Sequence, residues 1–329
     1  MTAPVLEVHW TEQDSIDALR KDATDGLSSN PKWLSPKWLY DARGSELFEE
    51  ITAQPEYYPF RTERELLRAV GPEIAATAGA DTLVELGSGS SEKTRLLLDA
   101  CRAQGELRRY LPQDVSETAL RAAATAVNAE YPDLEVHGLV GDFTRHLDLL
   151  PGADGGRRLV AFLGGTFGNL HPGERRAFLT ALHAALEPGE LLLLGAGLVI
   201  DPAVMVAAYA DAAGITAQFE RNVLTVLNRE LDADFDVDAF DYVARWDPEH
   251  EWIDMRLRAR RAMTVELPGV NLRVHFAAGE EMRTEVSGKF RREGLSAELD
   301  AAGFDLGHWW TDPDERFALG LANRTEEPR

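Results

Sequence analysis

The sequence predicts an α/β fold built on an open, mainly parallel sheet, and three observations carry that prediction. Between residues 82 and 199, short apolar runs alternate with stretches of helical spacing, as strands and crossover helices do in parallel sheets. The first run, Thr82-Leu-Val-Glu-Leu86, ends in an acid and passes through Gly87-Ser-Gly89 into the helical spacing of Leu96, Leu97 and Leu98. Polar residues then recur at the ends of the following apolar runs, where open sheets of this kind bind their ligands.

Residues 1 to 80 read as helical and rich in aromatics and prolines. Ser35-Pro36 has the form of a cap followed by a first-turn proline, with Trp38, Leu39 and Tyr40 behind it. Ser45 to Ile51 reads as a short amphipathic helix, broken by Gln54-Pro-Glu-Tyr-Tyr-Pro-Phe60. Thr62-Glu-Arg-Glu65 has the spacing of a capping box that opens a new helix. Tyr57 and Tyr58, between two prolines, are expected in a rigid loop, where tyrosines more often pack than bind a ligand.

The loop at Gly87 has three competing readings. A P-loop needs a second glycine where Glu92 stands, and a dinucleotide fingerprint needs its third glycine at the same place. S-adenosylmethionine carries no phosphate, so Glu92 does not oppose it, and Glu85 suits its cationic amino group and sulfonium. Taken alone, the loop leaves methyltransferases and other nucleotide-binding folds open.

The next runs narrow the choice. Tyr110 to Ser116 reads as a strand end and a helix cap, and Asp114, 27 residues after Gly87, stands where an acid meets a ribose diol. Its plainer reading is an N-terminal cap. Leu134 to Val140 is a third strand ending in Gly141-Asp142-Phe143, an acid and an aromatic suited to an adenine edge and face. Leu159 to Leu163 runs into Gly164-Gly-Thr-Phe-Gly-Asn169, and a helix from Pro172 carries the stripe Phe178, Leu179, Leu182 and Leu186. Glu190 to Gly195 is the fifth strand. Glu85, Gly87, Asp114, Asp142, Phe143 and Asn169 therefore share one rim, which favours a class I methyltransferase sheet over a dehydrogenase.

Residues 203 to 230 read as two helices and 240 to 288 as antiparallel strands, with Leu272, Val274 and Phe276 alternating with Arg273 and His275. A helix over Leu295 to Gly303 and a hairpin of Phe304 to Thr311 with Phe317 to Ala322 complete the first sheet. The segment from about 200 to 288 is then an insertion, expected to join the N-terminal helices in a second lobe that selects the substrate.

Composition bounds the partners. With 34 basic and 56 acidic residues the formal charge is −22, against binding nucleic acid or an anionic membrane. One cysteine, Cys101, excludes an internal disulfide and a cysteine-based metal cluster. The absence of a long apolar run or a signal-peptide layout gives the expectation of a cytoplasmic protein. The acidic run Asp232, Asp234, Asp236, Asp238 lacks the glycine and terminal glutamate of a calcium loop and reads as a solvated turn; no metal site is expected.

The glycine loop, Lys93, Asp114, Gly141-Asp142-Phe143 and Phe167-Gly168-Asn169 occur together with Pro55-Glu-Tyr-Tyr-Pro59, Asn222-Val-Leu224, Asn228-Arg-Glu-Leu231 and Phe276 to Ser287. In this combination the chain closely resembles the L-histidine Nα-methyltransferases of ergothioneine biosynthesis, from about residue 10 to about 322. It departs from them at Gly165, Phe167 and Gly288, none a ligand position in the family pattern.

The resemblance implies a class I S-adenosylmethionine-dependent Rossmann-like sheet, residues 61–199 plus 289–329, and an α+β substrate-binding lobe, residues 8–60 plus 200–288. It implies a monomer that moves three methyl groups onto the α-amine of L-histidine to give hercynine, the first step toward ergothioneine. The alternative is a relative acting on another amino acid. Gly87, Lys93, Asp114, Asp142 and Phe143 would hold the methyl donor. Tyr57 and Asn169 would bind the reacting amine, and Asn169 with Tyr209 the carboxylate. Glu285 and Ser287 would hold the imidazole, with Met255 beside the ring and Tyr40 acting through water.

Overall fold

The computed structural model describes residues 4–105, 107–152 and 155–326. The chain divides into two compact units: Met1–Trp10, Pro59–Val199 and Lys289–Arg329 form one, Thr11–Tyr58 and Ile200–Gly288 the other.

The strands of the first unit are β1 (Val5–Val8), β3 (Thr82–Leu86), β4 (Arg109–Asp114), β5 (Glu135–Val140), β6 (Arg158–Phe162), β7 (Leu191–Gly197), β13 (Phe304–Thr311) and β14 (Phe317–Arg324). They form one sheet in the order β1-β5-β4-β3-β6-β7-β14-β13. The first six run parallel, and β14 and β13 are antiparallel to their neighbours. Because side chains alternate along a strand, the sheet feeds two cores. Leu83, Leu159, Leu191 and Leu193 pack with α3 (Tyr58–Ala78), α4 (Thr94–Ala103) and α5 (Glu117–Glu130) through Leu67, Ile74, Leu97 and Val127. Val84, Val160, Leu192 and Leu194 face the other way, onto Phe178, Leu179 and Leu182 of α6 (Pro172–Ala185) and Leu295 and Leu299 of α9 (Arg292–Ala301). These pairs satisfy the near-continuous apolar runs that fully covered parallel strands require.

At the amino ends of β6 and β7 a charged pair is buried. Arg158 and Glu190 are 1% and 3% exposed; Nε and Nη2 of Arg158 donate to the carboxylate at 2.7 and 2.6 Å. The remaining guanidinium donors reach the carbonyls of Pro151 and Ala185, and the Glu187 N–H adds a bond to Glu190. Where the chain leaves and rejoins this unit, Leu198 bridges to Phe290: the Phe290 N–H donates to the Gly197 carbonyl and the Val199 N–H to the Phe290 carbonyl.

In the second unit, β2 (Lys32–Trp33), β12 (Glu281–Gly288), β9 (Trp252–Ala259) and β8 (Phe240–Asp247) form a sheet in that order, beside the hairpin β10 (Met263–Leu267) and β11 (Leu272–Phe276). Its helices are α1 (Glu12–Ser28), α2 (Ala42–Thr52), α7 (Pro202–Ala208) and α8 (Ile215–Glu230). Thr11 and Asp14 cap α1 reciprocally. Asp41 caps α2 through the Gly44 N–H and also accepts from Asn222 and Arg229 of α8, tying the two helices together.

The N-terminal segment differs from the helical reading of the sequence in two places. Val5–Val8 adds an edge strand paired parallel with β5, and Lys32–Trp33 pairs parallel with β12. Both are too short for alternation to register. The third helix also begins at Tyr58, so Thr62 to Glu65 lies inside it and forms no capping box; Pro59 fits the first turn, where its missing N–H loses nothing. Of the acidic run, Asp234 accepts the Glu266 N–H and Asp236 pairs with Arg261 at the surface. Among the described residues no helix is long and apolar enough to cross a membrane.

Candidate active site

In the first unit, the sequence-predicted donor residues converge on the carboxyl ends of β3, β4 and β5. The chain leaves β3 through Gly87 and Gly89, at φ of 66° and 49°, a backbone region that side chains with a Cβ rarely enter. A Cβ on Gly87 would lie 3.9 Å from the Phe143 ring, so the loop and this aromatic flank the same space. Asp114, ending β4, accepts the Gly89 N–H at 2.9 Å on one oxygen and the Ser116 N–H at 2.9 Å on the other. It is at once the loop's tether and the start of the turn into α5, but the helix cap is Ser116, whose hydroxyl accepts the Ala119 N–H, so the plainer reading of Asp114 as the cap is corrected; its carboxylate oxygens keep further lone pairs. Burial pushes the Asp114 carboxyl above its ordinary range, and its backbone N–H donors pull the other way. Asp142, ending β5, receives both the N–H and the hydroxyl of Thr144, and its own N–H donates to His146. Phe143 packs edge-on against Phe162 and Phe178.

Lys93 stands just before α4. Its ammonium pairs with Glu63, a carboxylate of α3 that is 0% exposed, and lies 5.1 Å from the centre of the Phe60 ring. Glu63 in turn accepts the Gly164 N–H at 2.8 and 3.0 Å, linking Lys93 to the loop after β6. Asn169 closes the 3-10 turn Thr166–Asn169 in that loop, which enters through Gly164 and Gly165 at positive φ.

Glu85 behaves differently from its sequence reading as a partner for a cation. Its carboxylate accepts from the Thr94 hydroxyl and, at 2.5 Å, from Tyr110, whose oxygen also bonds Ser91 at 2.8 Å. Alternation along β3 puts Glu85 on the same face as Leu83, under α4, and burial pushes its carboxyl up to about 7. Glu85 therefore fastens the loop to the sheet from below.

Apart from Asn169, the predicted substrate residues lie in the second unit. Tyr40 packs edge-on against Phe48 and Phe219, Phe48 against Tyr57, and Tyr57 against Tyr209, with ring centres 5.6, 5.2, 6.3 and 5.8 Å apart. The Tyr209 hydroxyl and Ser287 Oγ are 2.7 Å apart, and Tyr242 donates to the Tyr209 carbonyl at 2.7 Å. Burial pushes the Tyr209 hydroxyl far above its ordinary range, so it stays a neutral donor. Glu285 and Ser287 sit two apart on β12, and Met255 of β9 pairs directly with Glu285. One acid, two hydroxyls, a thioether and an aromatic row are thus gathered in one unit.

Sequence reasoning missed Glu63, which it read only as part of a cap, and Tyr110 and Thr94, which it gave no role. It also passed over Glu220 of α8, fully buried beside Glu285. Among the described residues no group of three or more His, Cys, Asp and Glu is placed to hold a metal ion.

The chain is 57% identical to histidine N-alpha-methyltransferase of Mycolicibacterium smegmatis over 97% of this chain and 99% of that protein. It is 56% identical to the protein of the same name from Mycobacterium tuberculosis, over 95% and 97%. Ergothioneine biosynthesis protein 1 of Neurospora crassa is 33% identical over 60% of this chain, which matches 23% of that longer protein. Residues 19–324 match the family model described as histidine-specific methyltransferase, SAM-dependent. The chain belongs to the histidine-specific, S-adenosylmethionine-dependent methyltransferase family.

Proposed function

We propose that this chain transfers three methyl groups from S-adenosylmethionine to the α-amine of L-histidine, forming hercynine for ergothioneine biosynthesis. The observation that carries this reading is the polar set of the second unit, where Glu285 and Ser287 lie two residues apart beside Met255 and the Tyr209 hydroxyl. An imidazole offers an N–H to an acid and a ring face to a thioether; an aliphatic or phenyl side chain would leave a buried carboxylate without that donor, which is unfavourable by about 3 kcal/mol, or about two orders of magnitude in discrimination.

The residues of the first unit fit the methyl donor. Positive-φ glycines give backbone access, Asp114 suits a ribose diol, Asp142 and Phe143 suit an adenine edge and face, and none of these favours a phosphate. The Lys93 ammonium has three donors, so pairing with Glu63 leaves capacity for the donor's carboxylate. When bound, S-adenosylmethionine supplies an electrophilic methyl on a sulfonium. Tyr57 and Asn169 orient the substrate amine for in-line attack, Asn169 and Tyr209 hold its carboxylate, and Tyr40 assists through water. Such positioning supplies most of the acceleration for a displacement that needs no covalent enzyme intermediate. The active species in this reading is a single cytoplasmic chain acting on small molecules without metal, nucleic acid or membrane.

Mass spectrometry of histidine, tryptophan and phenylalanine incubated separately with the enzyme and S-adenosylmethionine tests the reading. Three methyls on the backbone nitrogen of histidine are expected. Preferential methylation of tryptophan or phenylalanine would shift the assignment to another amino acid, and binding of ATP without binding of S-adenosylhomocysteine would overturn it.

A further inference from the structure

Asn169, proposed to hold the amine and carboxylate of the substrate, ends a turn too short to keep its shape unaided. The 3-10 turn Thr166–Asn169 is four residues long, and the chain enters it through Gly164 and Gly165 at φ of 81° and 73°, where a backbone without a Cβ has most freedom. Its entry is fixed from α3, where Glu63 accepts the Gly164 N–H. Its exit is fixed from the first turn of α6: Nη1 of Arg175 donates to the Leu170 carbonyl at 3.0 Å, one residue beyond Asn169.

Arg175 is 8% exposed, and its surroundings aim it. Nε and Nη2 each donate to the Glu298 carboxylate of α9 at 2.7 Å, a two-pronged pair that sets the plane of the guanidinium. The guanidinium carbon lies 5.8 Å from the centre of the Phe167 ring, inside the turn, and 5.3 Å from that of Phe290. Those two rings stack with centres 5.6 Å apart. Pairing with Glu298 alone would not call for this burial, because the Glu298 side chain is 33% exposed and an ion pair at the surface contributes little. The buried contacts of Arg175 are with the turn: the carbonyl that follows Asn169 and the aromatic ring two residues before it.

We infer that Arg175 is a positioning residue for the reaction: through the Leu170 carbonyl and the Phe167 ring it fixes the turn, so that the Asn169 side chain meets the substrate's amine and carboxylate in one orientation. This rests on the functional reading above and adds to it a residue that acts through Asn169. A lysine in its place would keep the charge, but it has no planar fork to serve Glu298 and Leu170 together.

The test compares wild type and Arg175→Met in steady-state methylation of L-histidine and in calorimetric binding of S-adenosylhomocysteine. Misplacing a substrate-binding side chain by up to an ångström costs one to two orders of magnitude, so kcat/KM for histidine should fall by roughly 10- to 100-fold. Affinity for S-adenosylhomocysteine, whose proposed ligands lie at the ends of β3, β4 and β5, should stay within about two-fold, whereas a general loosening of the unit would lower both. Because the role runs through Asn169, Arg175→Met should add less than about two-fold to the loss caused by Asn169→Ala. An unchanged kcat/KM, an equal fall in S-adenosylhomocysteine affinity, or a full further loss on top of Asn169→Ala would overturn the proposal. Should Asn169→Ala retain no turnover, the comparison of the two ligands decides alone; should Arg175→Met fail to fold, Arg175→Lys enters the same comparison with the same outcomes. If the wild type methylated no histidine at all, the functional reading would fail first; turnover undiminished in Arg175→Met would remove only the role of Arg175.

Discussion

Replacing Glu85 by glutamine should raise the stability of the protein relative to the wild type progressively as pH rises. In the folded state burial holds the Glu85 carboxyl at about 7 against an ordinary 4.5, even though Thr94 and Tyr110 donate to it. A raised folded value means that the native state binds a proton the unfolded chain has released. The stability it contributes is full below about pH 4.5 and is lost as pH rises through about 7. At about 1.4 kcal/mol per pH unit, the whole effect is worth about 3 kcal/mol, of which about 2 kcal/mol falls between pH 5.5 and 8. Glutamine keeps one acceptor and one donor for the two hydroxyls and does not titrate, so its own hydrogen-bond penalty is a constant offset. Urea unfolding of both proteins at a series of pH values measures the difference, in which every other titrating group cancels. A difference that stays constant within about 0.5 kcal/mol, or that shrinks with rising pH, would show that Glu85 is ionised in the fold and refute the reasoning.

Three further outcomes follow from the described contacts. Arg158→Met should lower stability by about 3–5 kcal/mol in thermal or denaturant unfolding, because it strands the buried Glu190 charge; a loss under about 1 kcal/mol would contradict the assigned pairing. Asp114→Ala removes the tether on the Gly89 N–H together with the proposed diol partner, and calorimetry should show S-adenosylhomocysteine binding weakened by about 10- to 100-fold. Tyr209→Phe deletes the hydroxyl bonded to Ser287, and steady-state kinetics should show KM for histidine raised by about ten-fold with a smaller change in kcat; an unchanged KM would remove Tyr209 from carboxylate binding.

The first unit was legible because its strands are buried on both faces and read as apolar blocks, while its polar residues fall at strand ends. Thr82 to Leu86, Leu159 to Phe162 and Leu191 to Leu194 announce themselves by composition alone. Glu63 gave no such signal: the partners that make its burial tolerable, Lys93 and the Gly164 N–H, are 30 and 101 residues away. Glu220 was hidden for a related reason. On α8 Phe219, Glu220, Asn222, Val223 and Leu224 are all buried, so no polar face distinguishes an exposed acid from an enclosed one. The roles of Tyr209, Met255, Glu285 and Ser287 came only from family resemblance, since periodicity places them on elements without revealing that their side chains meet. Glu85 shows the converse failure. An acid at a strand end invites a ligand, but the alternation of β3 had already committed it to the helix-covered face.

The bridge between Leu198 and Phe290 has a consequence for how this architecture can be rewired. Residues 200 to 288 are a closed excursion whose two feet are pinned to each other by backbone hydrogen bonds of the parent sheet. Such an insertion can change its length and contents without straining the scaffold that carries it, because the separation of its ends is already fixed. The excursion is not self-contained, however: Thr11–Tyr58 joins it through the pairing of β2 with β12 and the bonds of Asp41 to Asn222 and Arg229, so a foreign module grafted at residues 199 and 289 would have to replace that segment as well.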